Sequence, residues 1–323
     1  MNKVRVGFIG AGNIAEHHIK RILQIEHAEL AAVHDMNAER AAYIGSTYGA
    51  EVFASSEALM DSGKVDALFV CTPPFAREGL EETAAEKGIH LLSEKPVGLT
   101  LDEPRKKWEA IRKSGIIHSS GYCLRYLDTV QKAKRYLAGK SVNMVLGYRI
   151  NDLPPLAWWS RQEMSGGQMV DQSTHQVDLI RYLAGDFSEV SALYEQRSIR
   201  GIRPDATIPD VGTAWFRLRS GAVGTFSTSC VSRHISRGEV EVFGPDYYVC
   251  IKGRTLIIYD DEQKLEEQCG TDFYLEQDRA FIEAVRTGNQ KLVLGGYDEA
   301  IATLEVTLAF NRSAETGTPV RLS

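Results

Sequence analysis

The chain has 323 residues, a length that favours two domains, each able to bury its own core. Hydrophobic residues at 43% and charged residues at 25% are ordinary globular values, and they exclude a disordered, collagen-like or membrane-embedded class. A net charge of -6 excludes a general attraction to nucleic acid or anionic lipid, which depends on clustered Lys and Arg.

Cys71, Cys123, Cys230, Cys250 and Cys269 are odd in number and widely spaced, with no CxxC pair. Neither a disulfide framework nor a metal site is expected, and reduced thiols point to the cytoplasm. The opening residues lack the long apolar core of a signal peptide. No uninterrupted apolar stretch reaches the ~18 residues of a membrane-spanning helix, so no membrane partner is expected.

Residues 4 to 9, VRVGFI, predict a strand; Gly10 to Ala15 predict a tight turn, and a helix follows to about Gln24. A second strand over Glu29 to His34 ends at Asp35, and Ala38 to Tyr48 predicts a helix stopped by Gly49. Val65 to Cys71 reads as a buried strand, Thr72-Pro73-Pro74 as its turn, and Ala76 to Lys87 as the next helix. Ile89 to Ser93 is a fourth strand, stopped by Glu94-Lys95-Pro96. This alternation predicts a Rossmann-type, doubly wound parallel sheet over residues 1 to 120, with ligands at the carboxyl ends of its strands.

The first turn carries the cofactor signature. Gly10 permits the turn, Gly12 lets the backbone approach a pyrophosphate, and the amides near Asn13 and Ile14 direct the positive helix end at it. Asp35 lies at the spacing expected of an acid that binds the adenosine ribose. Its carboxylate repels a 2′-phosphate, so NAD is expected ahead of NADP, with Arg40 the nearby residue that opposes that preference. Lys95, following a buried strand at this edge, can hydrogen-bond a substrate oxygen, or lie in an exposed loop. His17 and His18, consecutive in the first helix, point in different directions and are read as structural.

From about Gly121 the pattern changes. A helix near Thr129 to Ala138 and a strand near Val142 to Ile150 precede a loop holding Trp158, Trp159 and Arg161. The aromatic rings can stack on a sugar or pack in the core, and Arg161 can bind a polar or acidic substituent. Residues 165 to 185 predict one helix after a glycine-rich start, with Asp171, His175 and Asp178 on a shared face. A buried Asp beside His can hold the imidazole for proton transfer, or the pair can be a capped or core-satisfied one. Six short strands between Val190 and Tyr259 predict a large, mainly antiparallel open sheet in an α+β domain over residues 121 to 323. Two last helices, Leu275 to Thr287 and Asp298 to Thr316, are expected to complete that layer. Trp215, Phe216 and Phe226 are candidates for a face hidden by a second subunit.

Several separated motifs resemble the Gfo/Idh/MocA oxidoreductase family: GFIGAGNIA at 7 to 15, CTPP at 71 to 74, SEKPVGLT at 93 to 100 and SGGQMVDQSTHQVDLIRYLAG at 165 to 185. FIEAVRTGN at 281 to 289 and SAETGTPVRL at 313 to 322 agree. The resemblance implies an NAD-dependent dehydrogenase acting on a sugar, polyol or sugar derivative, in a homodimer or homotetramer built through the C-terminal sheet. It implies a catalytic set of Lys95, Asp171 and His175: His175 takes a hydroxyl proton, Lys95 polarises that oxygen, and Asp171 positions the substrate or His175. Thr72, Pro73 and Glu94 are implied beside the cofactor, and Arg125, Trp159 and Arg161 beside the substrate. Some relatives instead hydrolyse glycosides by transient oxidation, or only sense ligands. Arg77 stands where the family often has His, and Cys123 where a polar residue is frequent, which bears on the nicotinamide contacts.

Overall fold

The computed structural model describes residues 3–322. The chain forms two compact units, Met1–Tyr126 with Asp272–Ile301, and Leu127–Thr271 with Ala302–Ser323. Among the described residues no helix is long and apolar enough to cross a membrane.

The first unit is built on β1 (Val4–Ile9), β2 (Ala28–His34), β3 (Glu51–Val52), β4 (Ala67–Val70), β5 (His90–Ser93) and β6 (His118–Ser120). They form a parallel sheet in the order β3-β2-β1-β4-β5-β6, the doubly wound arrangement expected from the alternation of strands and helices. Strand β4, ALFV, is buried throughout because helices cover both faces of such a sheet. Helices α1 (Asn13–Ile22), α2 (Ala38–Tyr48), α3 (Ser56–Asp61), α4 (Leu80–Glu86) and α5 (Asp102–Ser114) connect the strands. Asn37 caps α2 by accepting from the Glu39 and Arg40 amides, and Gly49 ends it in the left-handed region.

Two expectations change here. The helix read over 76–87 is a short 3-10 turn at Pro74–Ala76 followed by α4, because Arg77 is drawn into the core and Gly79 takes a left-handed conformation. The helix Phe273–Thr287, expected in the C-terminal layer, belongs to the first unit, where Phe281, Ile282 and Ala284 join the core around β1 and α1.

The second unit contains α6 (Asp128–Leu137), β7 (Met144–Ile150), α7 (Gln162–Ser165), α8 (Gly167–Asp171), α9 (Thr174–Ala184), β8 (Phe187–Glu195), β9 (Val211–Leu218), β10 (Val223–Ser229), β11 (Arg237–Phe243), β12 (Tyr247–Lys252), β13 (Thr255–Asp260), β14 (Lys264–Gln268) and β15 (Val320–Arg321). Over the described residues its sheet has nine strands in the order β14-β13-β12-β11-β7-β10-β9-β8-β15, antiparallel except for β10 on β7. Along β9 alternate residues are buried, so Trp215 is 43% exposed while Phe216 is 1% exposed. Phe226 pairs with Ala214 and Gly147 and is buried with them on the inner face. Of the three aromatic residues proposed for a subunit face, only Trp215 is on the open side.

The helix expected over 165–185 is broken. It runs as α8, stops after Asp171, and resumes as α9. At the break the Gln172 and Ser173 amides both donate to Gln168 O, and the Ser173 hydroxyl turns inward to Thr228 Oγ1 at 3.1 Å. A Ser side chain that finds a partner off the helix competes with the regular ladder. Asp171 and His175 therefore flank an interruption instead of stacking one turn apart.

Candidate active site

The first unit holds the nucleotide-binding turn at the carboxyl edge of β1. Gly10 has φ +94°, and a Cβ there would lie 2.8 Å from the Cys71 carbonyl carbon, so only glycine fits. At Gly12 an added Cβ would meet nothing within 4 Å: the turn leaves open space in front of the first amides of α1. No side chain caps that helix end, leaving Asn13 and Ile14 at an electropositive terminus.

Asp35 extends from the end of β2 to the same turn. Its Oδ2 accepts the Ala11 N–H at 2.6 Å and its Oδ1 accepts the Asn37 N–H at 2.7 Å. Arg40 donates to the Ala11 carbonyl through Nε at 3.1 Å and Nη2 at 2.8 Å, so both backbone polar groups of Ala11 are held. Beside Asp35 an open depression is lined by Met36, Ala38, Val52, Phe53 and Ser55. At the end of β4 the buried Thr72 hydroxyl has no hydrogen-bond partner among the described residues. An uncapped helix end, a space that a Cβ would fill, an acid at the end of β2 beside the open depression and an orphaned hydroxyl fit a bound NAD.

Arg77, in sequence a departure from the family pattern, ties this edge together. Its guanidinium is 1% exposed; Nε and Nη2 donate to Thr72 O at 2.9 and 2.6 Å, and Nη1 donates to Glu94 O and, at 3.2 Å, to Pro96 O. It joins the Thr72-Pro73 turn to the loop that carries Lys95. Arg77→Ala is expected to remove the cation and leave three buried carbonyls short of a donor, lowering stability by roughly 2–5 kcal/mol in denaturant titration.

Lys95 is half-buried directly after β5, and its N–H donates to Glu94 Oε2 at 3.1 Å. Glu94 itself is 5% exposed, with its carboxylate turned into the core, so it does not present that group to a cofactor. Cys123 is also buried; its thiol is pushed up to about 12 by burial and by the Glu94 charge, which rules out a thiolate nucleophile at neutral pH. Arg125, expected beside the substrate, is 2% exposed and donates to Leu294 O at 2.7 Å and Glu299 Oε2 at 2.9 Å. Its place is a brace for the segment that closes the first unit.

In the second unit, Asp171 at the end of α8 accepts the Trp159 indole N–H at 2.6 Å through Oδ2. Trp159 is 1% exposed and packs with Ile199, Ala206, Ile208 and Cys230, so it orients Asp171 from the core rather than stacking on a ligand. His175 is half-buried in the first turn of α9. Asp178, read as its neighbour on one face, is buried and accepts from the Thr303 hydroxyl at 3.1 Å, a structural role. Arg161 forms a surface ion pair with Glu163 at 2.8 Å.

Sequence reading missed Arg149 on β7. Burial lowers its tendency to stay protonated, and the negative charge of Asp171 offsets that effect. Its Nε has no hydrogen-bond partner among the described residues. Within β7 it follows Tyr148 without any turn or charge pattern, so nothing local marked it.

A doubly wound parallel sheet with a glycine turn at the carboxyl edge of β1 is the class of fold that binds a dinucleotide. Residues 4–122 match the model of the oxidoreductase family with an NAD-binding Rossmann fold, and residues 135–247 match the GFO/IDH/MocA C-terminal domain. The two matches together span more than half the chain, which belongs to the Gfo/Idh/MocA family of NAD-binding oxidoreductases.

Myo-inositol 2-dehydrogenase of Thermotoga maritima is 27% identical, over 99% of this chain and 98% of its own length. The NAD-dependent scyllo-inositol 2-dehydrogenase of Bacillus subtilis is also 27% identical, over 99% and 97%. Among solved structures, the WlbA dehydrogenase of Bordetella pertussis, in complex with NADH and UDP-GlcNAcA, shares the fold with a TM-score of 0.85 at 24% identity, over 100% of this chain and 99% of that one.

Proposed function

We propose that this protein moves a hydride between the carbon of a sugar or polyol hydroxyl and NAD. The observation that carries the reading is the position of Lys95: it follows β5 at the carboxyl edge that also holds the Gly10 to Ile14 turn and Thr72. The relatives that oxidise inositols support the substrate class.

Bound NAD would lie along Gly12, Asn13, Ile14, Asp35, Thr72 and Pro73 and supply the hydride acceptor. Lys95, as an ammonium, donates a hydrogen bond to the reacting oxygen. His175 accepts the hydroxyl proton while the C–H electron pair leaves as hydride, so the C–O bond becomes a carbonyl. Asp171, fixed by the Trp159 N–H, orients the substrate or His175, and Arg149 and Arg161 hold polar substituents. The Asp35 carboxylate, together with an Arg40 already occupied by Ala11, favours NAD over NADP. Purified protein given NAD and a panel of inositols, aldoses and sugar acids is expected to form NADH with at least one of them. Absence of turnover across the panel, with NADH bound, overturns the reading.

The open side of the nine-stranded sheet is proposed as the subunit face, in a homodimer or homotetramer. Trp215, Val223, Met144 and Tyr259 are each 38–45% exposed there, an apolar surface of the kind that a second copy covers. Trp215→Glu combined with Val223→Glu is expected to shift the protein to monomer in sedimentation velocity; an unchanged mass places the interface elsewhere. Four of the five cysteines are buried and all are unpaired, which is consistent with a reducing cytoplasmic location.

A further inference from the structure

His18 was read from the sequence as a structural histidine, and in the fold it is completely buried. Its Nδ1 lies 2.8 and 3.0 Å from the two carboxylate oxygens of Asp278, and its Nε2 lies 3.2 Å from Glu94 Oε1. The other Glu94 oxygen accepts the Lys95 N–H. Gly121 presses on the same carboxylate: a Cβ there would sit 2.5 Å from Oε2. One imidazole thus joins α1, the end of β5 and the helix Phe273–Thr287, through residues 76 and 260 positions apart.

A neutral imidazole has one donor and one acceptor. Here both ring nitrogens face carboxylates, and Asp278 is as fully buried as the ring. Two buried anions on one ring require a cation between them, because an unpaired buried charge is far more costly than a paired one. The ring must therefore carry both protons.

Resting on the proposed role of Lys95, we infer that His18 is a positioning residue for the reaction: as an imidazolium clamped between Asp278 and Glu94, it fixes the carboxylate that holds the Lys95 backbone. His18 does not touch the reacting atoms. Its effect passes through Glu94 to the direction in which the Lys95 side chain leaves the loop.

The proton on His18 is strongly held. Burial alone would drive it off, but the charges and hydrogen bonds of Asp278 and Glu94 outweigh burial and raise the group from the ordinary 6.5 to about 10. The other groups around it are Tyr274, whose ring meets His18 edge-on at 5.7 Å, and Cys123 and Cys71, all held protonated by burial first. Burial pushes the Asp278 carboxyl up against the opposing charges of His18 and Arg21, whereas Glu94 is held low, His18, Lys95 and Arg77 together outweighing its burial. A histidine raised in the native state stabilises fully below its unfolded value, and that contribution is lost as pH climbs through about 10. The wild-type melting temperature is therefore expected to fall between pH 7 and pH 10, and His18→Gln to lie lower with a flatter profile over that range.

The first test uses the full wild-type chain. Nitrogen resonances of labelled histidine should show His18 as an imidazolium at neutral pH, and a neutral ring there overturns the inference. The second test compares wild type with His18→Gln, below the melting temperature of both. The variant is expected to lose about 10²-fold in kcat, with the NADH dissociation constant changed less than about threefold. A kcat within about twofold of wild type, with only the melting temperature lowered, makes the triad merely structural and overturns the inference. If His18→Gln does not fold, His18→Gln with Asp278→Asn also removes one buried charge at nearly constant volume and leaves the new amide at position 18 able to donate to Glu94, and the same loss of kcat is expected. To separate this inference from the dehydrogenase reading, the dimethyl-lysine resonance of Lys95, assigned through Lys95→Arg, is followed without turnover. A shifted wild-type resonance that moves to the free-lysine position in His18→Gln supports the clamp even if no sugar is oxidised. Identical spectra overturn it even in an active enzyme.

Discussion

Lys95→Ala is expected to lower kcat by about 10²–10⁴-fold while leaving NADH binding close to wild type. The expectation follows from how the residue is held. Its backbone is anchored through the N–H to Glu94 and through the flanking carbonyls of Glu94 and Pro96 to Arg77, and none of these contacts uses the ammonium. Truncation therefore keeps these backbone anchors while it removes the charge that polarises the reacting oxygen. His175→Ala in the second unit is expected to give a loss of the same order, with rates partly restored at high pH, where hydroxide replaces the missing proton acceptor. Steady-state kinetics and NADH fluorescence on the same preparations decide the matter. Turnover of either variant within about tenfold of wild type would remove that residue from the chemistry.

Gly12→Val is expected to weaken NADH binding by about a hundredfold, ~2.8 kcal/mol, without changing stability. A Cβ at Gly12 meets no neighbouring atom within 4 Å, so the valine side chain starts into open space. Its φ of -74° is ordinary for any residue, so the backbone accepts the side chain. The methyls then stand where the pyrophosphate must approach the amides of α1. Gly10→Ala is the contrasting variant: with φ +94° and the Cys71 carbonyl within 2.9 Å, it is expected to cost roughly 1–3 kcal/mol of stability. Calorimetry and thermal melts distinguish the two patterns. Equal affinity for NADH in Gly12→Val and wild type would mean that the dinucleotide lies elsewhere.

The positions of Gly12 and Thr303 show where local reading stops. Strand, glycine turn, helix and the acid at the end of β2 all fall within residues 4 to 35, and each is specified by neighbours in the chain. The alternation of buried strands with amphipathic helices is equally local, which is why the doubly wound parallel sheet was legible, whereas its strand order came from the fold. The broken helix after Asp171 was not, because the interruption depends on a Ser173 to Thr228 contact between residues 55 positions apart. Trp159 and Arg125 carry side chains suited to ligands. Whether each turns outward or into the core depends on partners such as Asp171 and Leu294 that come from other parts of the fold.

By itself the sequence determined the nucleotide-binding turn, the class of each sheet and the family to which the chain belongs, since these rest on period, spacing and short motifs. Only the tertiary structure decided what each buried polar group is for. Arg77, His18 and Asp178 had to find partners once they were out of water, and the folded chain brought those partners from 5 to 260 residues away.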